Sequence, residues 1–357
     1  TQNPNMKYLE CGMTISSLSH LRAFLLSYFL VALNTQTIFV RSLSNEFPQL
    51  ENTIENLRLS SLAYKISSCD DVEKIPVDIT CHSYEAKQDG TQVAVLSSED
   101  REYVAVSFAG TDNFEDVVAD GKVKMEPFGP SELPINPEVY VHEGFNRQTF
   151  GEGLFDRIYE TVNKVLELNP HYKIITTGHS LGAANSILAA VALALNLPEA
   201  HIENINFASP RIGDGEFRNW ANREFENLSI WRFVYNNDLV ARVPFFKNSI
   251  GSNSSPHWHH SGHTIQLGLS HADAFYCHEG DAELGYAGVS VSWQAIPFRH
   301  PKRSARDHDL HNYIHYIKDL SSSDPDVFYV DSFVTSAAAA NDLMDNIDDA
   351  AGITVPT

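Results

Sequence analysis

Lys173-Ile174-Ile175-Thr176-Thr177-Gly178-His179-Ser180-Leu181-Gly182 runs straight into Ala183-Ala184-Asn185-Ser186-Ile187-Leu188-Ala189-Ala190. The first residues are β-branched and apolar, which predicts a short buried strand; the small residues after Gly182 predict a helix that follows at once. Glycines two positions either side of a serine, between a strand and a helix, make the G-x-S-x-G turn in which the serine backbone is strained. Side chains at Gly178 or Gly182 would meet neighbouring backbone, so both glycines are steric requirements of the turn. Ser180 Oγ is left projecting over the sheet edge, the posture of a nucleophile. The bare pattern is weak, but between a strand and a helix it is specific.

A serine hydroxyl is a poor nucleophile at neutral pH, so Ser180 needs a histidine base and the base needs a carboxylate to orient it. In folds built on such a turn the chain order is serine, acid, histidine. Asp238 lies directly after the predicted strand at 229–235, where an acid at a strand end is expected. Asp214 competes with it, although Arg211-Ile212-Gly213-Asp214 reads better as a loop acid or helix N-cap. The base is sought in Asp307-His308-Asp309-Leu310-His311-Asn312-Tyr313-Ile314-His315, with His308 favoured because it opens the predicted helix, and His311 as the alternative. Oxyanion donors are expected at the backbone N–H of Leu181 and at Gly110-Thr111, which follows a predicted strand. His142 and His179 read as packing and hydrogen-bonding residues around the turn.

Working outward, strands are predicted at 92–96 and 103–108, as a hairpin or two adjacent strands, then at 202–208 and 229–235, alternating with helices at 146–168, 180–195 and 216–225. Alternation of this kind implies βαβ units and a mostly parallel sheet with an antiparallel start, an α/β fold. A helix is expected over 41–63, with its regular part beginning near Pro48 or a kink there. Pro127, Pro130, Pro134 and Pro137 predict a long loop, and 245–300 reads as irregular. A last helix is predicted over 307–320. Phe114, Val117 and Val118 share one face of a short helical stretch after Gly110.

These stations together resemble the class 3 lipases, the fungal-type triacylglycerol lipase family with an α/β-hydrolase fold. The residues that carry the resemblance are Ser107-Phe108-Ala109-Gly110-Thr111, Val141-His142-Glu143-Gly144-Phe145, Gly178 to Gly182, and Asn237-Asp238-Leu239-Val240-Ala241-Arg242-Val243-Pro244. His308-Asp309-Leu310-His311-Asn312-Tyr313 is similar to the family's C-terminal histidine segment, particularly in its plant phospholipase-like members. The resemblance covers about 63–320 and implies Ser180, Asp238 and His308 as triad, with Thr111 and Leu181 as oxyanion donors. It also implies a lid over 113–123. Ala109 stands where many members carry Arg, Leu239 replaces a small or polar residue, and the frequent lid tryptophan is missing. The apolar face of Phe114, Val117 and Val118 is small, so weak interfacial activation and activity on soluble short-chain esters are expected.

The implied activity is hydrolysis of acylglycerol esters. Phospholipase A1, galactolipase and feruloyl-type esterase activities remain open on the same scaffold. A catalytically silent, lipase-like binding protein is the reading from a different class; against it, every triad position holds a residue of the right type.

The chain has 357 residues, with 25 Lys and Arg against 46 Asp and Glu, a formal net charge of −21. Such a surface repels nucleic acid and anionic lipid, and a neutral lipid or ester substrate suits it better. No cofactor is called for. Residues 1–40 are expected to be a leader, 41–320 a single domain, and 321–357 an acidic, Ala-rich tail. The polar stretch ending at Arg22, followed by the apolar run 23–33, reads as a secretory signal, with a retained anchor as the alternative. Cys69 and Cys81 make a plausible local bridge in a secreted protein, leaving Cys277 without an obvious partner. His257, His259, His260 and His263 crowd one loop, but no cysteine or carboxylate sits at fixed spacing with them, so no metal site is expected.

Overall fold

The structure, a computed structural model, describes residues 48–110, 124–236, 238, 240–244, 258–267, 274–277 and 307–321. The leader at 1–40, Thr111, the lid candidates Phe114, Val117 and Val118, and the tail beyond Ser321 lie outside the described residues. In chain order the helices are α1 (Leu50–Lys65), α2 (Glu143–Phe150), α3 (Leu154–Leu168), α4 (Leu181–Asn196), α5 (Gly215–Arg223) and α6 (Leu310–Ser321). The strands are β1 (Thr80–Ala86), β2 (Gln92–Ser98), β3 (Tyr103–Phe108), β4 (Met125–Phe128), β5 (Asn136–His142), β6 (Lys173–Gly178), β7 (Ile202–Phe207), β8 (Leu228–Tyr235), β9 (His263–Leu267) and β10 (Ala274–Cys277).

One eight-stranded sheet runs in the order β1-β2-β3-β6-β7-β8-β9-β10. Its first three strands pair antiparallel, β3 to β9 pair parallel, and β10 returns antiparallel. The predicted mostly parallel sheet with an antiparallel start therefore forms, flanked by helices on both faces. Strand alternation explains the layering. On β3, Val104, Val106 and Phe108 join the core beneath α3 and α4, whereas Tyr103 and Ala105 join Leu59 and Leu62 of α1 on the other face. Ile174 and Ile175 of β6 divide the same way. A third cluster, built on Phe207, Phe233, Tyr313 and Tyr316, seats α6 beside α1. Each fully buried leucine such as Leu59 or Leu62 contributes about 2–3 kcal/mol by its removal from water.

Helix α4 is buried along its length from Leu181 to Ala194. Its Ala-rich surface explains the placement, because small side chains on every face let it lie close against the sheet. Helix α1 begins just after Pro48 and Gln49, as the proline required, and ends at Lys65.

Four expectations change. The helix predicted over 146–168 is two helices, because Gly151-Glu152-Gly153 interrupts it with left-handed backbone at Glu152 (φ 58°) and Gly153 (φ 65°). The proline-marked loop contains β4, which pairs with β5 as a separate two-stranded ribbon; Pro127 is tolerated there because β4 is the ribbon's outer strand, with no further strand beside it among the described residues. Strand β1, not foreseen, is a partly exposed edge strand with little apolar alternation. A disulfide between Cys69 and Cys81 ties the start of β1 to the loop after α1. Within 245–300, β9 and β10 extend the sheet.

Candidate active site

Strand β6 pairs with β3 so that Phe108 lies beside Gly178. The end of β3 and the turn after β6 therefore reach the same edge of the sheet. The turn is the strained one foreseen: Ser180 adopts φ 61°, ψ −127°, a region that side chains other than glycine rarely occupy. Its N–H donates to Phe207 O at 3.0 Å, which anchors the turn to β7. Ser180 is only 2 % exposed. The next N–H, that of Leu181, opens α4 and has no acceptor among the described residues. It adds to the positive end of a helix dipole, as an oxyanion donor would.

His308 stands in the turn just before α6, not inside the helix. Its Nε2 lies 2.8 Å from Ser180 Oγ, and its Nδ1 lies 3.1 Å from each oxygen of Asp238. Asp238 follows the end of β8, where its N–H donates to Tyr235 O and its Oδ1 accepts from the Val240 N–H. The structure thus brings Ser180, His308 and Asp238 together in one hydrogen-bonded series. With Nδ1–H donating to the carboxylate, Nε2 is left as an acceptor for the serine proton. His311 turns away to His315, 2.6 Å between their Nε2 atoms, and Asp214 caps α5 by accepting from the Phe217 N–H.

Asp238 is fully buried. Burial alone would push its carboxyl up, but the neighbouring His308 and the hydrogen bonds from His308 and Tyr313 together hold it below the usual carboxylate range. An ionised carboxylate is what an imidazole needs if it is to accept a proton. Tyr313 was not singled out in the sequence, since an aromatic in a predicted helix reads first as core. Its O–H donates to Asp238 Oδ2 at 2.6 Å and accepts from the Tyr235 N–H at 2.9 Å.

His142, His260 and His263 make packing and hydrogen-bonding contacts away from this series. His142 caps α2, its Nδ1 accepting from the Gly144 N–H at 3.0 Å, with its ring stacked on Phe145. His260 accepts from Arg232 at Nδ1 and donates from Nε2 to Ala241 O; His263 stacks on Trp231. His257 lies outside the described residues, and among those described no group of three or more histidine, cysteine or acidic side chains could hold a metal.

Burial pushes His142 down to about 4, and burial together with the nearby His308 pushes His179 down to about 3; His260 falls well below 6.5. These rings are neutral in the folded protein at pH values where the unfolded chain takes up protons, below about 6.5. The unfolded state then binds more protons, so stability falls as pH drops through 6.5 and keeps falling toward the folded values. The depressed Asp238 acts in the same sense, losing its contribution as pH falls below 3.8. The melting temperature should therefore drop by roughly 10 °C between pH 7 and 4.5. Differential scanning fluorimetry across that range checks it, and His142→Asn, which keeps an N-cap oxygen, should flatten the slope.

The sheet order, the flanking helices and the strand–turn–helix at Ser180 make an α/β-hydrolase fold. Residues 105–248 match the family model for lipase (class 3). The chain is 28% identical over 153 residues to a lipase of Rhizopus niveus, and 32% identical over 104 residues to a secreted mono- and diacylglycerol lipase of Penicillium cyclopium. These alignments cover 42% and 29% of this chain; it spans only 37% and 32% of those relatives' lengths. Among solved structures, lipase II of Rhizopus niveus superposes with a TM-score of 0.53 at 21% identity, covering 63% of this chain and 83% of that one. A triacylglycerol lipase of Penicillium expansum superposes at 0.52 and 20% identity, over 65% and 84%.

Proposed function

We propose that the protein is a secreted serine carboxylic-ester hydrolase that cleaves acylglycerol esters through an acyl-enzyme on Ser180. The observation that carries the reading is the 2.8 Å approach of His308 Nε2 to Ser180 Oγ, with Asp238 behind it. Ser180 Oγ attacks the ester carbonyl carbon while His308 Nε2 takes its proton. The carbonyl oxygen becomes an oxyanion, held by the Leu181 N–H and, on the sequence reading, by Thr111. As the intermediate collapses, the carbon–oxygen bond to the glycerol breaks and His308 protonates the departing alcohol. Water, deprotonated by His308, then attacks the acyl carbon. The free carboxylic acid leaves and Ser180 recovers its proton.

Support for the substrate class comes from three sources. The relatives are named lipases, four of them for mono- and diacylglycerols. A net charge of −21 disfavours anionic substrates. The Ser180 hydroxyl is confined in a buried site that excludes most water. Secretion is supported by the Cys69–Cys81 disulfide, which suits an oxidising compartment, and by relatives described as secreted.

A fluorophosphonate probe should label wild-type protein at Ser180, and a panel crossing acyl length with head group should show hydrolysis of mono- and diacylglycerols. Short soluble esters should also be cleaved, with less than roughly tenfold acceleration on an emulsion, as the small apolar face at Phe114, Val117 and Val118 implies. An unlabelled protein that binds lipid without turnover would make it a binding module; preferred cleavage of phospholipid, galactolipid or feruloyl esters would move the substrate class.

A further inference from the structure

The turn residue between Gly178 and Ser180 does more than fill space. His179 Nε2 lies 2.8 Å from the backbone carbonyl oxygen of His308, and its Nδ1 lies 3.0 Å from the Tyr64 hydroxyl. The two imidazoles stack, with centroids 4.7 Å apart and planes 25° from parallel. A carbonyl oxygen only accepts, so His179 Nε2 carries the proton, Nδ1 is the acceptor, and Tyr64 O–H donates to it. The tautomer is fixed from both ends. Burial keeps the ring uncharged, which matters beside His308, because a second cation there would oppose the imidazolium that forms when Ser180 gives up its proton.

Tyr64 sits in the last turn of α1 and reaches the sheet edge because Gly110 has no side chain. A Cβ on Gly110 would fall on the Tyr64 hydroxyl, and would also come within 2.9 Å of His179 O. His308 itself stands in a turn before α6. The contact from His179 ties the backbone of that turn to the residue beside the nucleophile.

We propose that Tyr64 and His179 are positioning residues: Tyr64 fixes the tautomer of His179, and His179 clamps the His308 carbonyl so that its imidazole stays aligned on Ser180. The inference rests on the Ser180–His308–Asp238 reading above. The contribution of Tyr64 and His179 is to the alignment of the proton transfer, where displacement of about 1 Å can cost on the order of 100-fold in rate.

The test compares wild type with Tyr64→Phe, His179→Gln and His179→Leu, using p-nitrophenyl butyrate, a fluorophosphonate probe, melting temperature, and the low-field proton NMR signal of His308 Nδ1–H against Asp238. His179→Leu should lower kcat roughly 10- to 100-fold with KM within about twofold, and should broaden or remove the low-field signal. His179→Gln, whose amide N–H reaches the same carbonyl, should recover most of the loss. Tyr64→Phe should lower kcat several-fold, and adding it to His179→Leu should cost nothing more, since the two act through one contact.

Wild-type kcat and an intact low-field signal in His179→Leu would overturn the proposal. So would a loss in step with melting temperature that His179→Gln does not rescue. If His179→Leu fails to fold, Tyr64→Phe decides through the same kinetics and signal: full kcat with an unchanged signal overturns it. Failure of the underlying reading looks different, because wild type itself would then take no label and hydrolyse no ester, whichever residue were changed.

Discussion

Ser180→Ala should lower kcat on a soluble ester by roughly 10³- to 10⁶-fold, and adding His308→Ala should lower it little further. The hydroxyl and imidazole are one device: Nε2 has nothing to deprotonate once the 2.8 Å partner is gone, and the hydroxyl has no base once the ring is gone. The losses are therefore strongly non-additive, unlike those of residues that contribute independently. Removing the Asp238 carboxylate by Asp238→Asn should cost less than either, because the ring is still in reach but its tautomer is no longer held by an ionised acceptor. Single-turnover kinetics with the three variants and the double variant check this order. Multiplying losses for Ser180 and His308 would mean that the two side chains do not act on the same proton.

Gly182→Ala should have the largest effect on stability. A Cβ at Gly182 would lie 2.6 Å from Ala109 O, and would also meet Phe108 O, both backbone atoms at the end of β3. Backbone cannot rotate away as a side chain can, so α4 must lift from the sheet or β3 must bend. Either costs about 3 kcal/mol or more, a fall of roughly 10 °C in melting temperature for a domain of this size. Activity should fall further than stability, since the same displacement moves the Leu181 N–H and the strand end that leads to Thr111. Gly178→Ala should behave alike, its Cβ meeting the Gly182 carbonyl carbon at 2.5 Å. Gly90→Ala is the control. No atom lies within 4 Å of a Cβ there, and only its φ of +85° adds a cost of about 1 kcal/mol. A Gly182→Ala protein that melts like Gly90→Ala would mean that α4 does not press on β3.

How far the site was legible follows the range of the forces involved. Gly178, Ser180 and Gly182 could be read directly because their constraint lies within five residues of backbone. Asp238 could be placed by its position after a strand, and His308 by its position before a helix. The broken helix at Gly151-Glu152-Gly153 carried a readable signal, two glycines within an otherwise apolar repeat, that was outweighed by the periodicity on either side. Strand β1 carried almost none: an edge strand buries one partial face, and its residues are held by pairing with β2 and by the disulfide, neither of which leaves a local pattern.

The amino-acid order by itself determined the elbow, the alternation that builds a parallel sheet, and the chain order of nucleophile, acid and base, because each depends on neighbours a few residues away. Only the tertiary structure decided that His308 and not His311 faces Ser180, that Tyr313 braces Asp238, and that Tyr64 sets the tautomer of His179. Tyr64 and His179 are 115 residues apart in the chain. Which proton sits on which nitrogen is settled by donors and acceptors that meet only when α1, α6 and the β6 turn pack at one sheet edge.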